Sequence, residues 1–189
     1  RGLGDVYKRQ DLKYKIIVID KDYPKINLSK NEKLILAEDL LSSFTELNEV
    51  EDFRVLEDIS EKKIGDLICK HPLFSLGFEY DVKVFPSNHV TNENGTGFVH
   101  IAPNHGQDDF DLGQVNSLGN DPTVNEKGIY EDNINFFKGM HVFKSDEKVI
   151  EELEKLGKLI SSSRYNHSYP HSWRSKAPLI FRATSQWFI

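Results

Sequence analysis

The sequence predicts a β-rich mixed α/β fold, a small closed β-barrel-like domain with a few flanking helices. Three observations carry this expectation. Short runs of β-branched and aromatic residues recur along the chain, the clearest being YKIIVID at residues 14–20. Turns bearing glycine, proline and asparagine separate them. Only two or three stretches show the i, i+3, i+4 apolar spacing of an amphipathic helix. Closure into a barrel is the usual way for many short strands to avoid exposed edges. The 189 residues suffice for one substantial core, and 38% hydrophobic with 29% charged residues is a globular composition.

The elements follow in chain order. RGLGDVYKRQ, residues 1–10, has no hydrophobic period and reads as an unstructured or foreign lead. Residues 14–20 form a buried strand, residues 34–37 another, and Leu40, Leu41, Phe44 and Leu47 mark a short helix over 38–47. Residues 53–57 read as a strand. Residues 65–69 are a weak apolar segment in which Cys69 fills core space. Residues 78–85 alternate, with Phe78, Tyr80, Val82 and Val84 on one face, and Pro86 ends the run. Phe98, Val99 and Ile101 make a short strand with His100 facing the other way, and Pro103 stops it. Asn104 to Gly106 is turn chemistry, and Asp108 and Asp109 open a helix with Phe110, Leu112 and Val115, Asp108 suiting its cap. The strongest helix pattern comes late: Ser145 as N-cap, Asp146 and Glu147 at the positive end, Val149, Ile150, Leu153 and Leu156 on one face, Gly157 closing it. Residues 158–162 and 178–182 read as strands.

Charge is distributed unevenly. The formal net charge of −6 argues against indiscriminate nucleic-acid binding. Yet residues 158–189 carry Lys158, Arg164, Arg174, Lys176 and Arg182 and no Asp or Glu, interleaved with Tyr165, Tyr169, Trp173, Phe181, Trp187 and Phe188. This pattern suits phosphate contacts with base stacking, and equally a packed strand pair with exposed basic residues. A single cysteine excludes an internal disulfide framework. No apolar run approaches the ~18 residues of a membrane span and no secretory signal pattern occurs, so no membrane is expected and the cytoplasm is the expected location. The chain starts without methionine and ends on QWFI, as expected of part of a longer protein.

Residues 95–113, GTGFVHIAPNHGQDDFDLG, concentrate glycine, histidine and aspartate in a strand–turn–helix frame suited to a pocket. His100, His105, Asp108 and Asp109 have metal-compatible chemistry, but the spacing is not the i, i+4 pair of a zinc helix, and a capped corner with surface histidines explains the same residues. His167 and His171 flank Tyr169-Pro170 without a nearby cysteine and read as loop histidines.

GTGFVHIAPNHGQDDFDLGQ (residues 95–114) resembles the editing-domain signature of isoleucyl-tRNA synthetases, GTG-x-VH-x-AP-x-HG-x-DD-[YF]-x-x-G. HSYPHSWRSKAPLIFRATSQWF (residues 167–188) resembles the segment returning from the editing (CP1) insertion to the synthetic domain, and GMHVF (139–143) the family's G-x-x-VF piece. The resemblance implies a partial editing domain over 11–160 and a connecting segment over 161–189. It implies that Asp109 grips the substrate ammonium, that His100 lies beside the aminoacyl side chain or ester, and that Gly95, Thr96 and Gly97 help bind substrate. Arg164, Arg174 and Lys176 are the implied tRNA contacts. No metal or cofactor is implied for editing. ATP and Mg would serve the parent ligase outside this segment, with tRNA(Ile), isoleucine and valine as its partners and substrates, acting as a monomer. A valyl-tRNA synthetase editing domain, or a non-catalytic tRNA-binding module, are the alternatives. Two departures stand out: Ser172 replaces the family's usual cysteine, and Asn104 a frequent glycine, which asparagine replaces at little cost in the left-handed conformation. The family's threonine-rich peptide belongs just before Asp11, and RGLGDVYKRQ does not match it.

Overall fold

The computed structural model describes residues 6–9, 12–87, 95–119, 121–162, 164 and 168–184. Two sheets form the frame. Strands β2 (Tyr14–Ile19), β3 (Lys33–Ala37) and β4 (Phe53–Ile59) make an antiparallel sheet in the order β3-β2-β4. Strands β1 (Val6–Arg9), β5 (Ile68–Lys70), β6 (Asp81–Ser87) and β7 (Phe98–His100) make a mixed sheet in the order β5-β6-β1-β7.

Neither sheet closes among the described residues, which corrects the expected barrel. Closure requires the two edge strands to pair. Here β4 stays an edge, mostly exposed and carrying Arg54, Glu57 and Asp58, the charged character that discourages further pairing. The sheets are instead tied together at the turn before β7. The Ala37 N–H donates to the Thr96 carbonyl at 2.9 Å, and the Tyr14 hydroxyl donates to the Gly97 carbonyl at 2.6 Å.

Residues 1–10 are not a structureless lead throughout. Val6–Arg9 runs parallel to β6 and antiparallel to β7, and the Tyr7 and Lys8 side chains are fully buried. Lys8 keeps its charge paired by Glu61 at 2.9 Å. Position within the sheet overrides weak local propensity here. Pro86 does not end β6. It pairs with Lys8 on one side, while β5 covers only Asp81 to Lys83 on the other, so the missing N–H leaves no ladder gap. Phe78 and Tyr80 precede the strand rather than belonging to it. Cys69 lies exposed on edge strand β5, not in the core.

Among the described residues, apolar side chains gather in four groups. Ile17, Ile19, Leu36 and Phe44 join the three-stranded sheet to helix α1 (Leu41–Leu47). A register shift between Ile16 and Ile17 turns the second half of β2 inward, as a bulge does. Tyr14, Ala37, Ile64 and Val84 fill the space between sheets, with Ile64 supplied by helix α2 (Glu61–Gly65). Tyr7 and Ile101 pack with Leu112 of helix α3 (Gln107–Val115). Phe78, Ile134 and Phe137 lie under Val149 and Leu153 of helix α4 (Asp146–Lys155) and its C-cap Leu156. Ser145 precedes α4 but does not cap it with its side chain: it is already helical, and its hydroxyl donates to the Val142 carbonyl at 2.7 Å. Gly157 does close α4, at φ +62°.

The expected strands at 158–162 and 178–182 are absent. Residues 168–184 fold back on themselves as a strap, with a single bridge between His171 and Pro178 and bonds from Ser172 N–H to Ala177 O and Leu179 N–H to Pro170 O. Pro170 and Pro178 remove donors that a longer ladder would need.

Candidate functional site

The frame raises one corner where strand, turn and helix converge. Gly95 and Gly97 both take positive φ, +86° and +85°. At Gly97 an added Cβ would stand 2.6 Å from the Ala37 Cβ, so the GTG turn passes against the neighbouring sheet at a distance only glycine permits. Between them, Thr96 presents its carbonyl to Ala37. Strand β7 follows, with His100 opposite Val6 at the sheet edge and exposed. The chain then turns through Ala102 to Gly106 and enters α3.

Helix α3 begins at Gln107 with Gly106 as N-cap, so Asp108 is not the cap. Asp109 sits in the first turn, half-buried, and folds back: its Oδ2 accepts the Ala102 N–H at 3.0 Å. Its other oxygen accepts no hydrogen bond among the described residues. That bond ties the carboxylate to the backbone two residues past His100. Asn104 is not left-handed. It is buried, and its side-chain amide donates to the Asp121 carbonyl at 2.6 Å.

His71 lies just after β5 and carries a strong shift. Burial, and then the nearby charge of His100, push its pKa down to about 4. Its ring packs 5.0 Å from Phe78 and 5.2 Å from Tyr80.

Arg174 and Lys176 are exposed in the strap's turn, the Arg174 guanidinium 5.2 Å from the Trp173 ring. Lys176 adopts φ +59° with its N–H donating to Ser172 O. Arg164 is exposed, and His167 falls outside the described residues.

An open groove of about 680 Å³ lies between the strap and the body, walled by Ala102, His105, Tyr130, Phe143, Tyr169 and Phe181 with Asp146 on its lining. A second of about 510 Å³ runs along Asn104, Phe110 and Ala183. Neither is lined by Asp109 or His100. Sequence reasoning missed the role of His105, which bonds to both the strap and the body (Phe181 and Thr123). No local signal marks partners so distant in the chain. Among the described residues no group of three or more His, Cys, Asp or Glu is placed to hold a metal ion, and no helix is long and apolar enough to cross a membrane.

The arrangement of two open sheets joined at a glycine turn is similar in fold to a solved structure: the crystal structure of GlLeuRS-CP1 matches with a TM-score of 0.62 over 87% of this chain and 80% of that one, at 13% identity. No family model matches the chain. By sequence the chain belongs to the isoleucine–tRNA ligase family. It is 45% identical to the isoleucine–tRNA ligase of Pelagibacter ubique over 160 residues, 85% of this chain and 18% of that one. It is 40% identical to that of Marinomonas sp. over 179 residues, 95% of this chain and 18% of the relative. The chain thus spans about 18% of the length of these relatives.

Proposed function

We propose that this chain is the editing segment of an isoleucine–tRNA ligase and takes part in hydrolysing valine wrongly esterified to tRNA(Ile). One methylene separates valine from isoleucine, worth only ~1–3 kcal/mol in an apolar pocket, a range for which this very synthetase is a reference case. A second, hydrolytic site supplies the remaining discrimination. The observation that supports the reading is the Asp109 carboxylate, fixed by the Ala102 N–H at 3.0 Å with one oxygen left for a ligand. A carboxylate held in this way offers a charge-assisted hydrogen bond to the α-ammonium of an aminoacyl ester.

In the proposed reaction, water attacks the ester carbonyl carbon. The new bond is from water oxygen to that carbon, and the bond broken joins it to the ribose oxygen. The water proton ends on the ribose hydroxyl, and free valine leaves. Asp109 holds the ammonium end, and His100 stands beside the ester or the valine side chain. Gly95, Thr96 and Gly97 shape the wall, and much of the rate comes from positioning. Arg164, Arg174 and Lys176 contact tRNA phosphates in this reading. The parent ligase, a cytoplasmic monomer, takes ATP, Mg and isoleucine to sites outside this segment. In this reading the isolated chain edits weakly or not at all, because residues 1–10 do not match the family's threonine-rich peptide.

The test is Asp109→Ala in the full-length ligase. Deacylation of valyl-tRNA(Ile) is expected to fall about a hundredfold or more, the scale of removing a partner from a charged hydrogen bond near the reacting group. Isoleucine charging survives. Unchanged deacylation would remove Asp109 from the editing site, and a wild-type ligase with no deacylation to lose would leave the chain as a tRNA-binding module only.

A further inference from the structure

We propose that His105 is a positioning residue that latches the strap of residues 168–184 to the Asp109 corner, making the strap part of the editing site. This rests on the proofreading reading above.

The His105 ring reaches two distant partners at once. Its Nδ1 lies 3.0 Å from the Phe181 carbonyl, 76 positions away, and its Nε2 lies 2.9 Å from the Thr123 hydroxyl, 18 positions away. A carbonyl only accepts, so Nδ1 carries the hydrogen. In the neutral ring Nε2 then accepts from the Thr123 O–H. Both nitrogens are thereby used, and the ring is fixed in one tautomer and one orientation. Beside it, the Ala183 N–H donates to the Asn104 carbonyl at 2.9 Å, and buried Asn104 is anchored to Asp121.

The same turn leads to the carboxylate. The His105 N–H donates to the Ala102 carbonyl at 2.9 Å, and the Ala102 N–H donates to Asp109 Oδ2 at 3.0 Å. Three hydrogen bonds, joined through the covalent frames of His105 and Ala102, therefore link Phe181 to Asp109. The strap has no helix or ladder of its own, and most of its residues are exposed, Trp173 at 78% and Phe181 at 58%. Segments with so few buried apolar contacts open locally at low cost, so the bonds at His105 and Asn104 carry a large share of its attachment. The grooves of about 680 and 510 Å³ both run between the turn and the strap, so loosening the latch opens both and loosens the turn whose Ala102 N–H orients Asp109.

The experiment uses the full-length ligase in three forms: wild type, His105→Ala and His105→Gln, the last retaining an N–H donor for the Phe181 carbonyl. Hydrogen exchange is read at residues 181–184, with deacylation of valyl-tRNA(Ile) and isoleucine charging measured alongside. His105→Ala is expected to speed exchange at the Ala183 amide roughly tenfold, with exchange in β2–β4 unchanged. The kcat for deacylation falls about five- to tenfold with charging intact, and His105→Gln restores most of both losses. Thr123→Val, which removes the hydroxyl and keeps the shape, shifts both readouts in the same direction by less. Unaltered exchange in His105→Ala overturns the latch. Faster exchange with unaltered deacylation overturns the positioning role. A wild-type ligase without deacylase activity would sink the proofreading reading itself, while the exchange data still decide whether His105 holds the strap.

Discussion

Replacing Gly97 by alanine tests the glycine turn that joins the two sheets. Gly97 has φ +85°, and a Cβ there would lie 2.6 Å from the Ala37 Cβ and 3.1 Å from Tyr14 Cε1. Ala37 is fully buried in β3 and Tyr14 is held by its bond to Gly97 O, so neither neighbour can retreat cheaply. The left-handed backbone costs about 1–2 kcal/mol for alanine. Overpacking a filled site costs about 1–3 kcal/mol more. Together these give a loss of roughly 2–5 kcal/mol. Gly95→Ala is the internal control: its φ is +86°, but nothing lies within 4 Å of an added Cβ. It should lose only the conformational part, about 1–2 kcal/mol. For a domain of this size each kcal/mol lowers Tm by ~2–4 °C. Urea unfolding followed by circular dichroism, with calorimetric Tm values, measures both variants against wild type. Equal losses, or a milder loss at Gly97, would refute the close approach between the GTG turn and β3.

Further outcomes follow from single contacts. Tyr14→Phe leaves the buried Gly97 carbonyl without its 2.6 Å donor and should cost about 1–3 kcal/mol in urea unfolding, so an unmoved midpoint would contradict that bond. His71 stays neutral in the folded chain down to about pH 4, whereas the unfolded chain takes up a proton near 6.5. The unfolded state thus binds more protons between those values, and the His71 contribution is full above pH 6.5 and lost as pH falls towards 4. Unscreened it would amount to about 3 kcal/mol, and solvent at the half-exposed ring reduces it to roughly 1–2 kcal/mol. Stability curves of wild type and His71→Gln should therefore converge as pH drops from 7 to 4, and parallel curves would show that the ring is not desolvated.

Much of the central sheet was legible because its residues alternate or cluster by β-branching, as in β2 and β3, and α1 follows from the spacing of Leu40, Leu41, Phe44 and Leu47. The bulge at Ile16/Ile17 was not, since nothing local distinguishes it from regular alternation. Val6–Arg9 shows no period because its strand is flanked on both sides, and its character comes from β6 and β7 rather than from itself. The expected strand at 178–182 failed for the opposite reason: apolar residues were present, but two prolines and a single bridge leave no ladder. At the site, the glycine turn and the acidic helix start could be read directly, since backbone conformation and helix polarity are local properties. The bond from Ala102 to Asp109 spans seven residues across the turn, and that of His105 spans 76. Tertiary partners of that kind appear only when the chain is folded.

Attraction between the Asp109 carboxylate and the substrate ammonium is the central claim, and a chemical double-mutant cycle measures it most directly. Full-length ligase and its Asp109→Asn variant are each given tRNA(Ile) bearing valine or the α-hydroxy analogue, in which hydroxyl replaces the ammonium. Asparagine still accepts the Ala102 N–H, so the corner is preserved while the charge is removed. Wild type should hydrolyse the amino ester at least tenfold faster than the hydroxy ester, beyond the uncatalysed difference, and Asp109→Asn should abolish that preference. An undiminished preference in the variant would place the ammonium-binding group elsewhere and contradict the account.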